Sequence, residues 1–572
     1  MIAVALKREP TPPGPISRLF DRLHDLHLRA GEPGVRQISR GMGRDRVSPT
    51  TVHNVFRGPK VPKWDPLCKV VEQLNGDVDL FLTLWTAALE TERRPPGWVG
   101  PDHPVPTTGE RSFAVVVLTN RMPFSGNAEV AAQSQWRVAM LAAMRRFGTP
   151  VGAWIGWSEH DPQPGAATYD DTTLHTIDLS TTDVELHYDG YCNATLWPLY
   201  HQHIERPEYH PAWRRASREV NQRYADAVVH LAAPGALVWI HDYHLQLVPD
   251  LIRRQRRDLH IGFFLHIPFP APDIFRQLPG RDEVLRGILG ADLVGFQHSR
   301  AALNFLGAVK DLLRLPTNGS DVQLDDRRIR VDAFPISVDV DGIERLAALP
   351  HTQQRAAEIR SGLGAPRILF LGVDRLDYTK GIEQRLEVYG QLLKRGDLAA
   401  DDSVFLQVGN PSRERIAQYA NLRERVDRLT GRLNGTYSAV GRQVVYYTNQ
   451  RYDFEDMVAF YTATDVMVIT PLSDGMNLVA KEYIASRIDH SGALVLSEFA
   501  GAAAELDEAL LVNPNDADEL GNAMLLAVNM NPAEQRRRME VMRSRLRRHD
   551  IHAWVSSFMG TLLTVTGQIG RR

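Results

Sequence analysis

The sequence predicts an α/β protein of two Rossmann-like domains facing a cleft, preceded by a small all-α, helix-turn-helix-like domain. Three observations carry this reading. From Ser112 onward, short apolar runs alternate with amphipathic helical segments, the pattern of parallel sheets covered by helices. Those runs exceed one comfortable open sheet, and a polar break at Ser337 to Asp341 divides them into two groups. Residues 16 to 92, by contrast, read as short helices with short connections. A length of 572 residues also exceeds what one hydrophobic core organises.

Composition narrows the function classes. With 43% hydrophobic and 24% charged residues the chain is of ordinary globular type, and a net charge of -3 supplies no global attraction to nucleic acid or acidic membranes, so any DNA contact has to be local. No apolar run approaches the roughly 18 residues of a spanning helix, and Met1 to Pro15 is too broken by charge and proline for an export signal, so the expected location is cytoplasmic. Cys68 and Cys192 are too few and too far apart for a disulfide framework or a zinc site, and core packing is expected for both.

In the front module, residues 1–92, helices are expected over Ser17 to Arg29, Val35 to Met42, Ser48 to Phe56 and Asp65 to Leu74. Ser48 with Pro49 is a helix start and Arg57-Gly58-Pro59 a stop. Val35 to Phe56 looks like the phage-repressor type of helix-turn-helix, with Thr50, Thr51, His53 and Asn54 able to face a groove. Thirteen Lys or Arg stand against six Asp or Glu over residues 1 to 70, a surplus suited to phosphate contacts and also common on solvated helices. DNA is therefore an expected partner through residues 17–75, and a helical module of structural role is the alternative. Residues 93–111, rich in Pro and Gly, read as a linker. The two Rossmann-like domains then span 112–340 and 341–572, and the last helix of the second is expected to return to the first.

Strands are expected at Phe113 to Leu118, Leu237 to Ile240, Ile261 to Leu265, Leu293 to Phe296, Ile329 to Phe334, Ile368 to Gly372, Val404 to Val408, Val444 to Tyr447, Val466 to Ile469 and Leu494 to Leu496. The stretch Gly372 to Gly381 follows one of them and opens a helix. Its Arg375 and Lys380, five residues apart at a strand's carboxyl end, can jointly hold a diphosphate, which favours an anionic leaving group. The plain alternative is two surface cations on a loop. A second element, Thr470 to Glu482, is a strand end, a glycine turn and a helix start, whose unpaired backbone N–H groups suit phosphate oxygens. Glu482, inside that helix, can accept both ribose hydroxyls of a nucleotide, or be a solvated helix residue with Lys481 its neighbour. His241, Asp242, Tyr243 and His244 cluster at a strand end, but two histidines three apart there lack zincin spacing, so no metal is assigned.

Further motifs fall in order along the chain: Thr119-Asn120-Arg121, Gly156-Trp157-Ser158, Asn193 to Pro198, Ile240 to Leu245, Phe264 to Pro270, Pro411-Ser412-Arg413, Ser497 to Ala502 and Asp550 to Trp554. Together these segments resemble the trehalose-6-phosphate synthase family over about residues 113 to 566, with the front module outside the match. The resemblance implies a GT-B-type transferase that moves glucose from a nucleotide sugar, UDP-glucose or GDP-glucose, onto glucose 6-phosphate with retention of configuration and without a cofactor or metal. It implies an acceptor site of Arg121, Trp157, Tyr188, Trp197, Asp242 and Arg413. It implies a donor site of Arg375, Lys380, Tyr452, Asp474, Gly475, Met476, Asn477, Leu478, Val479, Ala480, Lys481 and Glu482. Arg375, Lys380, Asp242 and His266 would be catalytic, with His266 against the donor sugar; outside this motif a core histidine is the better reading.

One departure stands out. Where the family carries a paired glycine followed by leucine after the first strand, Ser134-Gln135-Trp136 stand here, putting side chains where bare backbone approaches donor phosphates. Two other functions therefore stay open: a sugar-phosphate-responsive DNA-binding regulator with a degenerate transferase domain, and a transferase acting on a cyclitol or modified sugar. Donor base and homo-oligomeric state are left undetermined.

Overall fold

The computed structural model describes residues 15–31, 33–42, 47–58, 60–74, 98–99, 113–122, 135–149, 151–158, 166–169, 171–413 and 415–567, and single positions within 76–88. The expected linker lies outside the described residues apart from Trp98 and Val99. The chain forms two compact units, one of Met1–Trp98 with Phe124–Val130 and one of Val99–Pro123 with Ala131–Arg572.

The first unit is built of helices Pro15–Arg29, Val35–Gly41, Pro49–Arg57 and Trp64–Gln73, each within two residues of expectation at either end. Ser48 caps the third by accepting the Thr51 N–H at 3.0 Å, with Pro49 at the first helical position, and Gly58 ends it at φ +64°. Val52, Val55 and Phe56, at helical spacing, point into a core shared with Leu19, Leu23 and Ile38.

The second unit holds two sheets. The strands are β1 Phe113–Arg121, β2 Ala153–Trp157, β3 Ala166–Tyr169, β4 Thr172–Ile177, β5 Ala232–His241, β6 His260–Phe264, β7 Leu293–Phe296, β8 Thr317–Asn318, β9 Asp321–Leu324 and β10 Arg327–Ala333 in the first. They run β3-β4-β2-β1-β5-β6-β7-β10-β9-β8, parallel from β4 to β10 and antiparallel at β3, β9 and β8. The second sheet comprises β11 Ile368–Arg375, β12 Ser403–Asn410, β13 Val445–Asn449, β14 Val466–Ile469, β15 Ala493–Ser497 and β16 Leu510–Val512. Its order, β13-β12-β11-β14-β15-β16, is the doubly wound order that reverses beside the first strand, and all its pairs are parallel. Every strand expected from the sequence is present. Six strands among the described residues of 113–567 were not anticipated, β2, β3, β4, β8, β9 and β16. β4, Thr172–Ile177, is polar in sequence, and it is its burial between β2 and β3 that makes it a strand.

Two devices set the geometry near the carboxyl ends. Gly381 has φ +62° and a Cβ there would stand 2.0 Å from the Thr470 carbonyl oxygen, so the chain closes after β11 only because this residue has no side chain. Beneath it, the fully buried Arg385 guanidinium pairs with Asp374 and donates to Gln407 Oε1 at 2.9 Å. The last helix, Ile551–Val565, lies on the first sheet. Phe558 stacks on Trp239 at 4.6 Å and fills the space left by Gly262 and Gly295, and Trp554 Nε1 donates to the Phe334 carbonyl at 3.1 Å. Cys192 is buried, whereas Cys68 is half-buried on a helix of the first unit rather than in its core. No helix among the described residues is long and apolar enough to cross a membrane.

Removing one partner of a buried ion pair leaves a desolvated charge. Asp374→Ala is expected to cost roughly 3–5 kcal/mol and to lower the thermal midpoint measured by differential scanning calorimetry. The paired change Asp374→Leu with Arg385→Met should recover most of that loss.

Candidate active site

The carboxyl ends of both sheets carry the side chains expected to act. β1 ends on Arg121 after an irregularity in its pairing with β2, and the guanidinium lies 4.9 Å from the ring centroids of both Trp157 and Tyr188. Tyr188 stands on a helix wound i→i+5 over Val184–Leu196, a rare winding that is frequent at functional sites. Burial alone would raise the Tyr188 phenol, yet Arg121, Arg413 and Arg375 together hold it below its ordinary value. That shift reports three guanidinium groups converging on one ring.

The same wide helix delivers Trp197. Its indole receives the Arg413 guanidinium at 3.9 Å and that of Arg375 at 5.3 Å, and the rings of His201 and Tyr243 lie 4.1 Å and 5.8 Å from it. Trp197 belongs to the first sheet's side and both arginines to the second, so this aromatic floor joins the two domains. Burial lowers the His201 imidazole to about 4, keeping it neutral beside the cations. Arg413, itself at φ +50°, donates to Tyr419 Oη at 2.5 Å and to Tyr243 Oη at 3.2 Å, and its Nη1 lies 3.5 Å from Asp377 Oδ2. Burial would raise the Asp377 carboxyl, but Arg413, Arg375 and Lys380 hold it down. Asp377 also caps the turn into Lys380 by accepting the Thr379 N–H at 3.0 Å.

Lys380 Nζ donates to Asp474 Oδ2 at 2.6 Å, with both side chains mostly buried. Burial works against the ionised Asp474, and Lys380 overcomes it, leaving this carboxyl lowered. Asp474 opens the glycine turn. A Cβ on Gly475 would stand 2.2 Å from the His266 carbonyl oxygen of the first domain, so the turn passes directly against the opposite wall. Asn477, at φ +117°, accepts the Ala480 N–H at 3.0 Å, and the N–H groups of Leu478 and Val479 remain as the first-turn donors of helix Leu478–Ser486. Met476 and Ala480 are buried beneath.

Asp242, at φ +77° after β5, accepts the His266 N–H at 3.3 Å. The His266 ring stands between two partners, with Nδ1 3.3 Å from Gln297 Nε2 and Nε2 3.1 Å from His241 Nδ1. It is thereby oriented from below, and both ring nitrogens already have protein partners. Tyr452 packs edge-on against Phe460 and accepts from Gln450 Nε2 at 2.5 Å. The Lys481 ammonium is fully buried and donates to Glu505 Oε2 at 2.9 Å and to the Ile336 carbonyl at 2.8 Å, which ties the helix after the glycine turn to the chain near Ile336. At the departure from the family pattern, Ser134 lies outside the described residues, while Gln135 and Trp136 begin helix Gln135–Phe147, whose first turn still presents backbone N–H groups. Among the described residues no group of three or more His, Cys, Asp or Glu is placed to hold a metal ion.

Sequence reading gave no role to His201, Tyr243, Asp377 or Tyr419. Asp377 stood inside the Arg375 to Lys380 loop and Tyr243 in the strand-end cluster with Asp242, whereas His201 and Tyr419 come from other segments and meet the site by folding alone.

Residues 114–564 match the family model described as glycosyltransferase family 20. The chain belongs to glycosyltransferase family 20. It is a nucleotide-sugar-dependent hexosyltransferase of the trehalose-6-phosphate synthase type. It is 45% identical over 470 residues to a trehalose-6-phosphate synthase of Mycolicibacterium gilvum, covering 78% of this chain and 93% of that protein. Among solved structures it is similar to a UDP-forming α,α-trehalose-phosphate synthase of Burkholderia xenovorans in complex with glucose-6-phosphate, at 32% identity and a TM-score of 0.73 over 78% of this chain and 99% of that one. A third relative, from E. coli and bound with UDP-2-fluoro glucose, has 33% identity and a TM-score of 0.72 over 78% of this chain and 98% of that one.

Glu482 lends the site a pH dependence. Burial lifts its carboxyl to about 7, against a hydrogen bond from Tyr461 Oη at 2.9 Å that acts the other way. Between its ordinary 4.5 and about 7 the folded chain holds a proton that the unfolded chain has lost, so this group's contribution to stability falls as pH rises through that window. Hydroxyl groups donate to the ionised form. If Glu482 holds the donor ribose, the KM for nucleotide sugar should fall between about pH 6 and about pH 8, and Glu482→Gln should flatten the profile.

Proposed function

We propose that the chain transfers glucose from UDP-glucose to glucose 6-phosphate with retention of configuration, forming trehalose 6-phosphate and UDP. The observation that carries this reading is the convergence of Arg121, Arg375 and Arg413 on Tyr188 and Trp197. Guanidinium groups over aromatic faces suit a substrate pair in which each member carries phosphate next to a sugar ring. The relative that binds glucose-6-phosphate and the one that binds UDP-2-fluoro glucose support the two substrate assignments.

In this reading Arg121 and Arg413 take the acceptor phosphate, and Trp157, Tyr188 and Trp197 cover the acceptor sugar. Arg413 exchanges one of its tyrosine hydroxyl partners for the phosphate. Asp242 accepts from sugar hydroxyls, and His266, steadied by His241 and Gln297, lines the donor-sugar pocket. Arg375, Lys380 and the Leu478 and Val479 N–H groups hold the diphosphate, Glu482 the ribose, and Tyr452 lies toward the base. The acceptor hydroxyl attacks on the face from which the diphosphate leaves. The C–O bond to the leaving phosphate breaks as that to the acceptor forms, and the departing phosphate oxygen takes the hydroxyl proton. No enzyme nucleophile is needed. Rate comes from holding the two substrates together and neutralising charge that grows on the leaving oxygen.

The test is incubation with glucose 6-phosphate and, separately, UDP-glucose, GDP-glucose or ADP-glucose, following nucleoside diphosphate release and a phosphorylated disaccharide by mass spectrometry. UDP-glucose is expected to give product, and absence of disaccharide with every donor overturns the reading. Arg375→Ala and Lys380→Ala should each lower kcat on the order of 10²–10³-fold or more. Arg375→Ala should leave the thermal midpoint nearly in place, because the buried Asp377 carboxylate keeps Arg413 and Lys380 when this cation is removed.

A further inference from the structure

We propose that the first unit binds duplex DNA through the exposed face of helices Val35–Gly41 and Pro49–Arg57, with Pro49–Arg57 in the major groove. The transferase reading makes no use of this unit, and the site above lies wholly within the second.

Charge comes first. Between Val35 and Lys63 the sequence has seven Lys or Arg and a single acidic residue, Asp45, within a chain whose net charge is -3. The two helices themselves contain no carboxylate. On helix Pro15–Arg29, Arg22 and Arg29 are shared with Asp25 at 3.9 Å and 2.7 Å. Arg36, Arg40, Lys60 and Lys63 are exposed and make no ion pair among the described residues. Cations left unneutralised on one element and neutralised on its neighbour form a patch suited to a polyanion, whose binding releases counterions.

Shape comes second. The apolar side of Pro49–Arg57, Val52, Val55 and Phe56, is sealed in the core, so Thr50, Asn54 and Arg57, spaced four and three residues apart, share the exposed side with half-buried His53. Ser39 Oγ donates to the Val47 carbonyl at 2.6 Å and ties the first of the two helices to the chain entering the second. A nine-residue helix is about 13 Å long and fits a groove about 12 Å wide. Its exposed side chains are short hydrogen-bonding groups with a cation at the end. Thr, Asn and Arg read base edges and phosphates. The large aromatic anchors that dominate protein–protein contacts are missing from this face, which favours nucleic acid over a protein partner.

The experiment uses the full chain and fluorescein-labelled duplexes of about 30 base pairs, first of random sequence and then selected from a randomised pool. Anisotropy at about 50 mM salt should show binding that weakens on the order of a hundredfold by about 200 mM, the loss for about four phosphate contacts. Arg36→Ala with Arg40→Ala should weaken binding to every duplex alike. Thr50→Ala with Asn54→Ala should instead change which sequences the selection recovers. Both double variants should keep wild-type transferase turnover, which shows that they are folded and keeps this test separate from that of the transferase reading. No binding of any duplex at low salt overturns the proposal, and so does binding that neither double variant alters.

Discussion

The site depends on one contact, the stacking of Arg413 and Arg375 from the second sheet on Trp197 from the first. Guanidinium groups are weakly hydrated and planar, so an indole can receive them without the full desolvation cost of an ammonium. The contact thereby brings fixed positive charge to the wall of the opposite domain. Everything that positions Trp197, from the i→i+5 helix to the neutral His201 ring behind it, acts on the cations through that indole. Everything that positions Arg413, including Asp377, Tyr419 and Tyr243, acts on the same place from the other side.

Charge in this region is organised as pairs of unequal purpose. Asp374 with Arg385 is sealed and holds the base of the loop. Lys481 with Glu505 joins the helix after the glycine turn to the chain near Ile336. Lys380 with Asp474 and Arg413 with Asp377 are different, since each cation faces the cleft and each carboxylate steadies it from behind. A buried pair adds little net stability over a well-packed apolar alternative, so in the proposed reading these two keep their cations ionised and in place, Lys380 for the donor diphosphate and Arg413 for the acceptor phosphate. Glu482, lifted by burial and without a cation among the groups that shift it, is the member of the set whose charge is most open to change near neutrality.

The first unit follows other rules. Its helices form their own core, and Arg36, Arg40, Lys60 and Lys63 are exposed on it without an ion pair among the described residues. The cleft cations are buried beside carboxylates, whereas these four stand at the surface, and the two proposals rest on that difference.

The sequence alone determined the alternation of strands and helices, the break between two sheets, the helix starts at Ser48 and after Gly381, and the placing of two cations, Arg375 and Lys380, in one loop at a strand's carboxyl end. Those features rest on local period, turn chemistry and charge, which neighbouring residues state in full. Tertiary structure decided the rest. β4 is polar and becomes a strand only by burial between partners. The ammonium of Lys481 meets its buried carboxylate partner 24 positions on. Tyr243, Tyr419 and Asp377 converge on Arg413 from three separate segments, and His201 shields Trp197 from within the fold. Such contacts link positions far apart in the chain, and no periodicity or spacing encodes which of them will meet.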